Sequence, residues 1–330
     1  MLDYMRIFIS LLITAFLIQC VPEPPHSNPL DPYRSRPEAN TTGINGLVVR
    51  KNIPHFPVEN CRVTLLPLNQ FTLTDSSGRF SFSDLVSGQY KMVAEKNGFL
   101  SDTLVFHTDS LNSSALLTFY LNSFPQLIRF SLYSKFIDQW WPDPFFLVEA
   151  TLVANDPDGV ADMQIPQLLV PELNQTYNFL QTARGDSFVL QIKESDLPDN
   201  NIFTLVGQRV VVRLEDQSGA VHFSEPYYLH RIIDTAPEPI SPKGLDIVSP
   251  RPVFIWEAYV ANFNFTYEIS TFFVNAGIAL LIHQSGELPA SQLQYQYPDS
   301  LPSGDYFWTV GVRDALGNSS RSREAAFRVP

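Results

Sequence analysis

From residue 43 onward, apolar and polar residues alternate in short runs broken by glycine, proline and aspartate. In Arg209-Val210-Val211-Val212-Arg213-Leu214-Glu215, Val210, Val212 and Leu214 fall on one side and Arg213 and Glu215 on the other. Successive side chains of a strand point to opposite faces, so this pattern predicts a half-buried strand. The same period puts Phe80 with Phe82, Phe254 with Trp256, and Tyr306 with Trp308, Val310 and Val312. Phe146–Ala154 reads as a further apolar strand. The run Ile278-Ala279-Leu280-Leu281-Ile282 is expected to be a buried strand, being far too short to cross a membrane. No long segment carries a helical period, and the chain is predicted to be all-β.

Turn residues divide these strands into groups. Asp75-Ser76-Ser77-Gly78, Asp156-Pro157-Asp158-Gly159 and Asp216-Gln217-Ser218-Gly219 each join aspartate to a glycine three residues on, and Gly317-Asn318-Ser319 closes a late turn. Aspartate bonds its own backbone and glycine accepts a positive φ. Thr235-Ala236-Pro237-Glu238-Pro239 excludes regular structure and marks a boundary. We therefore expect tandem β-sandwich domains over 43–123, 124–234 and 235–330.

The first forty residues have a different character. Met5-Arg6 precedes an apolar core from Ile7 to Ile18 that ends at Gln19-Cys20. A cationic start, a short apolar run and a processing site make a secretory signal, so residues 1–19 are expected to be removed. Residues 20–42 hold Pro22, Pro24, Pro25, Pro29, Pro32 and Pro37 with few apolar side chains. They are expected to form an extended, proline-rich tether.

Leu17-Ile18-Gln19-Cys20 resembles the bacterial lipobox, with Leu17 and Ile18 at its apolar positions and Cys20 at the position that is acylated. Gln19 departs from the small residue usual there. The resemblance implies a covalent lipid on Cys20, membrane attachment, and a place in the bacterial cell envelope at the outer membrane. Residues 43–123 resemble the carboxypeptidase regulatory-like domain, a seven-stranded prealbumin-like sandwich. Gly46, Val58, Val63, Thr74-Asp75, Gly78, Phe80, Gly88, Tyr90 and Gly98-Phe99 carry the likeness. In that family the domain supports folding or presentation and does no chemistry. Residues 124–234 resemble a bacterial immunoglobulin-like domain. Residues 235–330 resemble a fibronectin type III module, with Trp256 at its early core tryptophan and Tyr306 at its late-strand tyrosine.

Composition narrows the function classes. Phe 25, Tyr 13 and Pro 26 against Met 4 suit strands and turns. The net charge of -12 disfavours nucleic acid and anionic lipid surfaces. With only Cys20 and Cys61, acylation of Cys20 leaves no intrachain disulfide, and Cys61 is expected to be a small core residue. The 6 histidines show no metal spacing, and neither a nucleophile elbow nor a phosphate loop is present. No catalytic residue is predicted and the chain is expected not to be an enzyme.

Two places carry candidate chemistry. Asp156, Asp158 and Asp162 offer oxygen ligands of the kind calcium takes, although Asp-Pro-Asp-Gly is equally a plain turn. Trp140 and Trp141 lie in the densest aromatic patch and could stack on a sugar or anchor an interface. At least one of them is expected to be buried as a cap on a sandwich end. No cofactor is expected beyond the lipid and the calcium candidate. The functional expectation is a non-catalytic envelope lipoprotein for binding, adhesion or assembly, with a protein or glycan partner. Its rival is an accessory subunit of a polysaccharide-processing or secretion complex.

Overall fold

A computed structural model describes residues 42–110 and 116–330. The expected signal peptide, Cys20 and the tether as far as residue 41 lie outside them. Among the described residues every helix is a short 3-10 turn and the remaining regular elements are strands, so the fold class is all-β.

The first sandwich contains β1 (Thr42–Arg50), β2 (Arg62–Leu66), β3 (Gln70–Leu73), β4 (Arg79–Leu85), β5 (Gln89–Glu95), β6 (Phe99–Leu100), β7 (Asp102–His107) and β8 (Leu116–Ser123). Its two sheets, β4-β1-β8-β6 and β3-β2-β5-β7, enclose Val48, Val63, Leu65, Met92 and Phe119. The aromatic ring of Phe80 lies on the backbone of Gly46, where a Cβ would stand 1.9 Å from its tip. Cys61 is buried and unpaired in this core, as its apolar neighbours predicted. Strands β1 and β8 pair in parallel and set Arg50 against Leu121. The turn after Arg50 and the end of β8 therefore leave the sandwich at the same end.

A second core lies among β9 (Gln126–Ile137), β10 (Phe145–Asn155), β11 (Gln167–Val170), β12 (Gln175–Asn178), β13 (Leu180–Gln181), β14 (Ser187–Lys193), β15 (Arg209–Glu215), β16 (Val221–Phe223) and β17 (Tyr227–Tyr228). Val210, Val212 and Leu214 are buried there while Arg213 and Glu215 are not. The alternation in β15 thus follows the predicted faces.

The third core is built from β18 (Pro239–Ser241), β19 (Asp246–Ile247), β20 (Val253–Trp256), β21 (Phe265–Asn275), β22 (Ile278–Gln284), β23 (Leu288–Pro289), β24 (Gln294–Gln296), β25 (Gly304–Asp314), β26 (Ser319–Arg321) and β27 (Ala325–Val329). Trp256 and Trp308 sit at its centre. The second and third cores are not joined by a linker alone. Strand β26 pairs in parallel with β9, Ser319 against Lys135 and Arg321 against Ile137. One 11-stranded sheet consequently runs from β13 through both cores to β22.

The expectation for Ile278–Ile282 does not hold. Ile278 is 64% exposed, Leu281 51% and Ile282 42%. Strand β22 ends the shared sheet, paired along its length with β21 only, and it contributes none of the buried residues of the third core, most of which come from β20, β21, β25 and β27. An edge strand has a neighbour on one side, and an apolar run does not reveal which position in a sheet it will take.

Candidate functional site

One local device recurs in all three cores. Asp75 Oδ1 accepts hydrogen bonds from Ser77 N and Arg79 N, each 2.8 Å. Asp216 Oδ1 accepts from Ser218 N and Ala220 N at 2.8 and 2.9 Å, and Asp314 Oδ1 from Leu316 N and Asn318 N at 2.8 and 2.9 Å. In each loop the glycine three residues after the aspartate has a positive φ. One carboxylate oxygen closes the turn, which leaves the second for other contacts.

The second oxygens differ. Asp314 Oδ2 accepts from Asn318 Nδ2 at 3.0 Å and faces Arg231 Nε at 3.3 Å. Asp216 Oδ2 accepts from Asn122 Nδ2 at 2.6 Å, across 94 residues of sequence. Asp156 builds a shorter form of the turn, its Oδ1 accepting from Asp158 N at 2.8 Å, and its buried Oδ2 has no partner.

The Asp156 and Asp216 loops meet where the first sandwich abuts the second core. Carboxylate oxygens of Asp156, Asp162 and Asp216 lie within 4.8 Å of one another. Asp156 and Asp216 are buried, and Asn52 Nδ2 of the first sandwich donates to Asp162 Oδ2 at 3.1 Å. Burial pushes the Asp156 carboxyl up to about 6. The hydrogen bond from Asp158 N opposes that rise, and the charges of Asp158, Asp216 and Asp162 add to it.

Two of the three aspartates named from sequence, Asp156 and Asp162, therefore come together, and Asp158 does not join them. Its Oδ2 turns to the first sandwich and accepts from Ser123 N at 2.6 Å. Its place is taken by Asp216, which spacing along the chain could not connect to Asp156. The available signal was the shared Asp-x-x-Gly turn at the end of a strand, and it could be read only once β10 and β15 were known to end at the same junction.

The tryptophan pair also departs from expectation. Trp140 is 68% and Trp141 87% exposed, so neither caps a sandwich end. The β9–β10 loop reaches the third core, where Trp140 Nε1 donates to Glu324 O at 2.9 Å and Arg323 lies over the Trp140 ring at 4.7 Å. Arg323 Nε also donates to Asp138 Oδ1 at 2.8 Å. These polar ties hold the loop at its base and leave the second indole in solvent. Of the 4 tryptophans, Trp256 and Trp308 are at 1% and 0% exposure. We expect acrylamide to quench only part of the native fluorescence, and a Trp140→Phe, Trp141→Phe double variant to lose the quenchable part. Full quenching of the variant would contradict this division.

A groove across the shared sheet is lined by Lys135, Glu268, Arg313 and Arg321. Their charges are paired: Lys135 with Glu149 at 2.9 Å, Arg313 with Glu268 at 3.4 Å and Arg321 with Glu324 at 3.2 Å. No histidine lines it, and such a set of ion pairs offers neither an activated nucleophile nor a free base.

The chain has no match among curated proteins. Among solved structures it is similar to BcpA, the major pilin subunit of Bacillus cereus, at 10% identity and a TM-score of 0.28, covering 88% of this chain and 96% of that one. A DUF3823 family protein from Bacteroides ovatus matches at 12% identity and a TM-score of 0.23, over 57% of this chain and 98% of that one. The chicken CNTN1 FN1-FN3 domains match at 10% identity and a TM-score of 0.33, over 83% and 91%. Residues 43–121 match the family model of the carboxypeptidase regulatory-like domain.

Proposed function

We propose that this chain is a non-catalytic lipoprotein of a bacterial envelope, anchored through lipid on Cys20 and held off the membrane by the tether over 20–42. Its β-sandwiches present a surface for a glycan or protein partner. The observation that carries the reading is the exposed Trp140–Trp141 pair on a loop pinned to the third core. An indole left in water beside one that is pinned through its own ring is suited to stacking on sugar rings or anchoring an interface, because little ordering remains to oppose binding. The rival reading, an accessory subunit of a polysaccharide-processing or secretion complex, is favoured by the open β22 edge with Ile278, Leu280, Leu281 and Ile282 exposed. An unpaired apolar edge is a ready template for strand addition by another protein.

Affinity capture from detergent-solubilised membranes separates the two. A stoichiometric enzyme or transporter, lost when Leu281→Lys is introduced at the edge, supports the accessory subunit. Quenching of the exposed tryptophans by soluble polysaccharide, abolished by Trp141→Ala, supports the display protein.

The anchor has its own test. Burial pushes the Cys61 thiol up to about 11, so the reactive thiolate is scarce in the native protein. Native chain is expected to resist thiol reagents, and denatured chain to show one thiol where the sequence has Cys 2. Two reactive thiols after denaturation, with an intact mass lacking acyl chains, would remove the lipid from the proposal.

A further inference from the structure

We propose that Asp156, Asp162 and Asp216, together with Asn122, bind one calcium ion that locks the first sandwich to the second core. Asp216 is 0% and Asp156 3% exposed, and among the described residues no lysine or arginine forms an ion pair with any of the three carboxylates. Arg50, on the first sandwich, gives its Nη1 hydrogen bond to Pro157 O at 2.9 Å. Carboxylates brought together out of water repel one another and are retained where a cation or a proton offsets them.

The turn device does not account for this arrangement. It uses Asp156 Oδ1 and Asp216 Oδ1, whereas Asp156 Oδ2 is buried without a partner. The independent observation is Asn122. This residue is neutral, 4% exposed, and belongs to the other sandwich, and its Nδ2 reaches Asp216 while its Oδ1 has no partner. Buried amide oxygens are nearly always paired, and this one belongs to the amide group whose nitrogen contacts Asp216.

The donor set selects the ion. All the groups are oxygen donors, with no thiolate and no imidazole, which suits a hard cation over zinc or copper. Oxygens on opposite sides of a calcium ion stand about 4.6–5.2 Å apart, twice the usual calcium–oxygen distance. The cluster, with its oxygens within 4.8 Å, lies inside that span. Three carboxylates and one amide leave room for water to complete a shell of about six to eight.

The ligands come from both sides of a junction. Asn122 is the penultimate residue of β8, Asp156 follows β10, Asp216 follows β15, and Asp162 lies in a 3-10 turn. Direct bonds already cross there, from Asn52 to Asp162 and from Ser123 N to Asp158. A bound cation adds ligand bonds to the same contact and stiffens the display of the modules.

The test uses the full chain stripped with chelator and titrated with calcium chloride, with magnesium chloride in parallel. Calcium is expected to raise the melting temperature by about 5 °C at saturation, with half-effect on the order of 0.1–1 mM. It is also expected to slow proteolysis at the segment around Phe124. Asp156→Asn keeps an oxygen for Asp158 N and removes one charge, so it is expected to melt higher than the parent in chelator and to lose the calcium shift. Asp162→Asn, at a half-buried position, is the second variant should the first not fold, and it too is expected to lose the shift. Unchanged melting and no heat of binding in millimolar calcium would overturn the proposal, as would a full calcium shift in a folded variant. An equal shift with magnesium would overturn the assignment to calcium.

Discussion

Trp308→Ala is expected to destabilise the third core by about 3–5 kcal/mol and to lower its melting temperature by roughly 10 °C. The indole is 0% exposed, is stacked on Phe254 with ring centres 4.7 Å apart, and donates from Nε1 to Pro242 O at 2.7 Å. Truncation loses the transfer energy of a large ring, leaves a cavity lined by aromatic residues that cannot collapse freely, and strands the Pro242 carbonyl. It also acts at the middle of β25, which pairs with β21, β26 and β27. The matched control is Trp141→Ala, at 87% exposure, which should stay within about 0.5 kcal/mol of the parent. Equal effects of the two substitutions in denaturant unfolding would defeat the packing account.

Asn318→Ala is expected to uncouple the second and third cores, turning one calorimetric transition for the shared sheet into two. Asn318 is 1% exposed at the seam. Its Oδ1 accepts from Ser134 N at 2.9 Å and its Nδ2 donates to Asp314 Oδ2. Removing the amide leaves the Ser134 N–H buried without an acceptor, a loss of about 1–3 kcal/mol before any relaxation of the loop. The cost falls on the β9–β26 pairing, the single connection by which the two cores share a sheet. Asn318→Asp is no rescue, because it would set a second carboxylate beside Asp314. A single unshifted transition for Asn318→Ala would show that the cores are coupled by other contacts.

The two substitutions probe features of unequal legibility. Trp308 lies in Tyr306-x-Trp308-x-Val310-x-Val312, whose period of two placed it on a buried face, and the structure buries all four. Asn318 stood in the sequence as a turn residue after Gly317. Nothing near it announced that its amide would hold a strand beginning at Gln126. Likewise the regulatory-like domain was legible over about eighty residues, because its turns and strands follow one another locally, and residues 43–121 match that family.

The candidate site divides in the same way. Asp156 and Asp162 are close in sequence, and their carboxylates were recognisable as a pair of oxygen donors. Asp216 and Asn122 reach them only through the ends of β15 and β8, and Asp158 is drawn off by Ser123 N, which belongs to the other sandwich. The sequence suggests at least one of Trp140 and Trp141 as a buried cap on a sandwich end, yet the loop is tied to Glu324 and Arg323 of the third core. Alternation, turn chemistry and the all-β class are set by neighbours two to five residues apart, and the amino-acid order by itself determined them. The shared sheet, the open β22 edge, the exposed tryptophans and the final membership of the acidic cluster depend on contacts between segments far apart in the chain. Only the tertiary structure decided these, because local backbone preferences do not encode which strand ends meet.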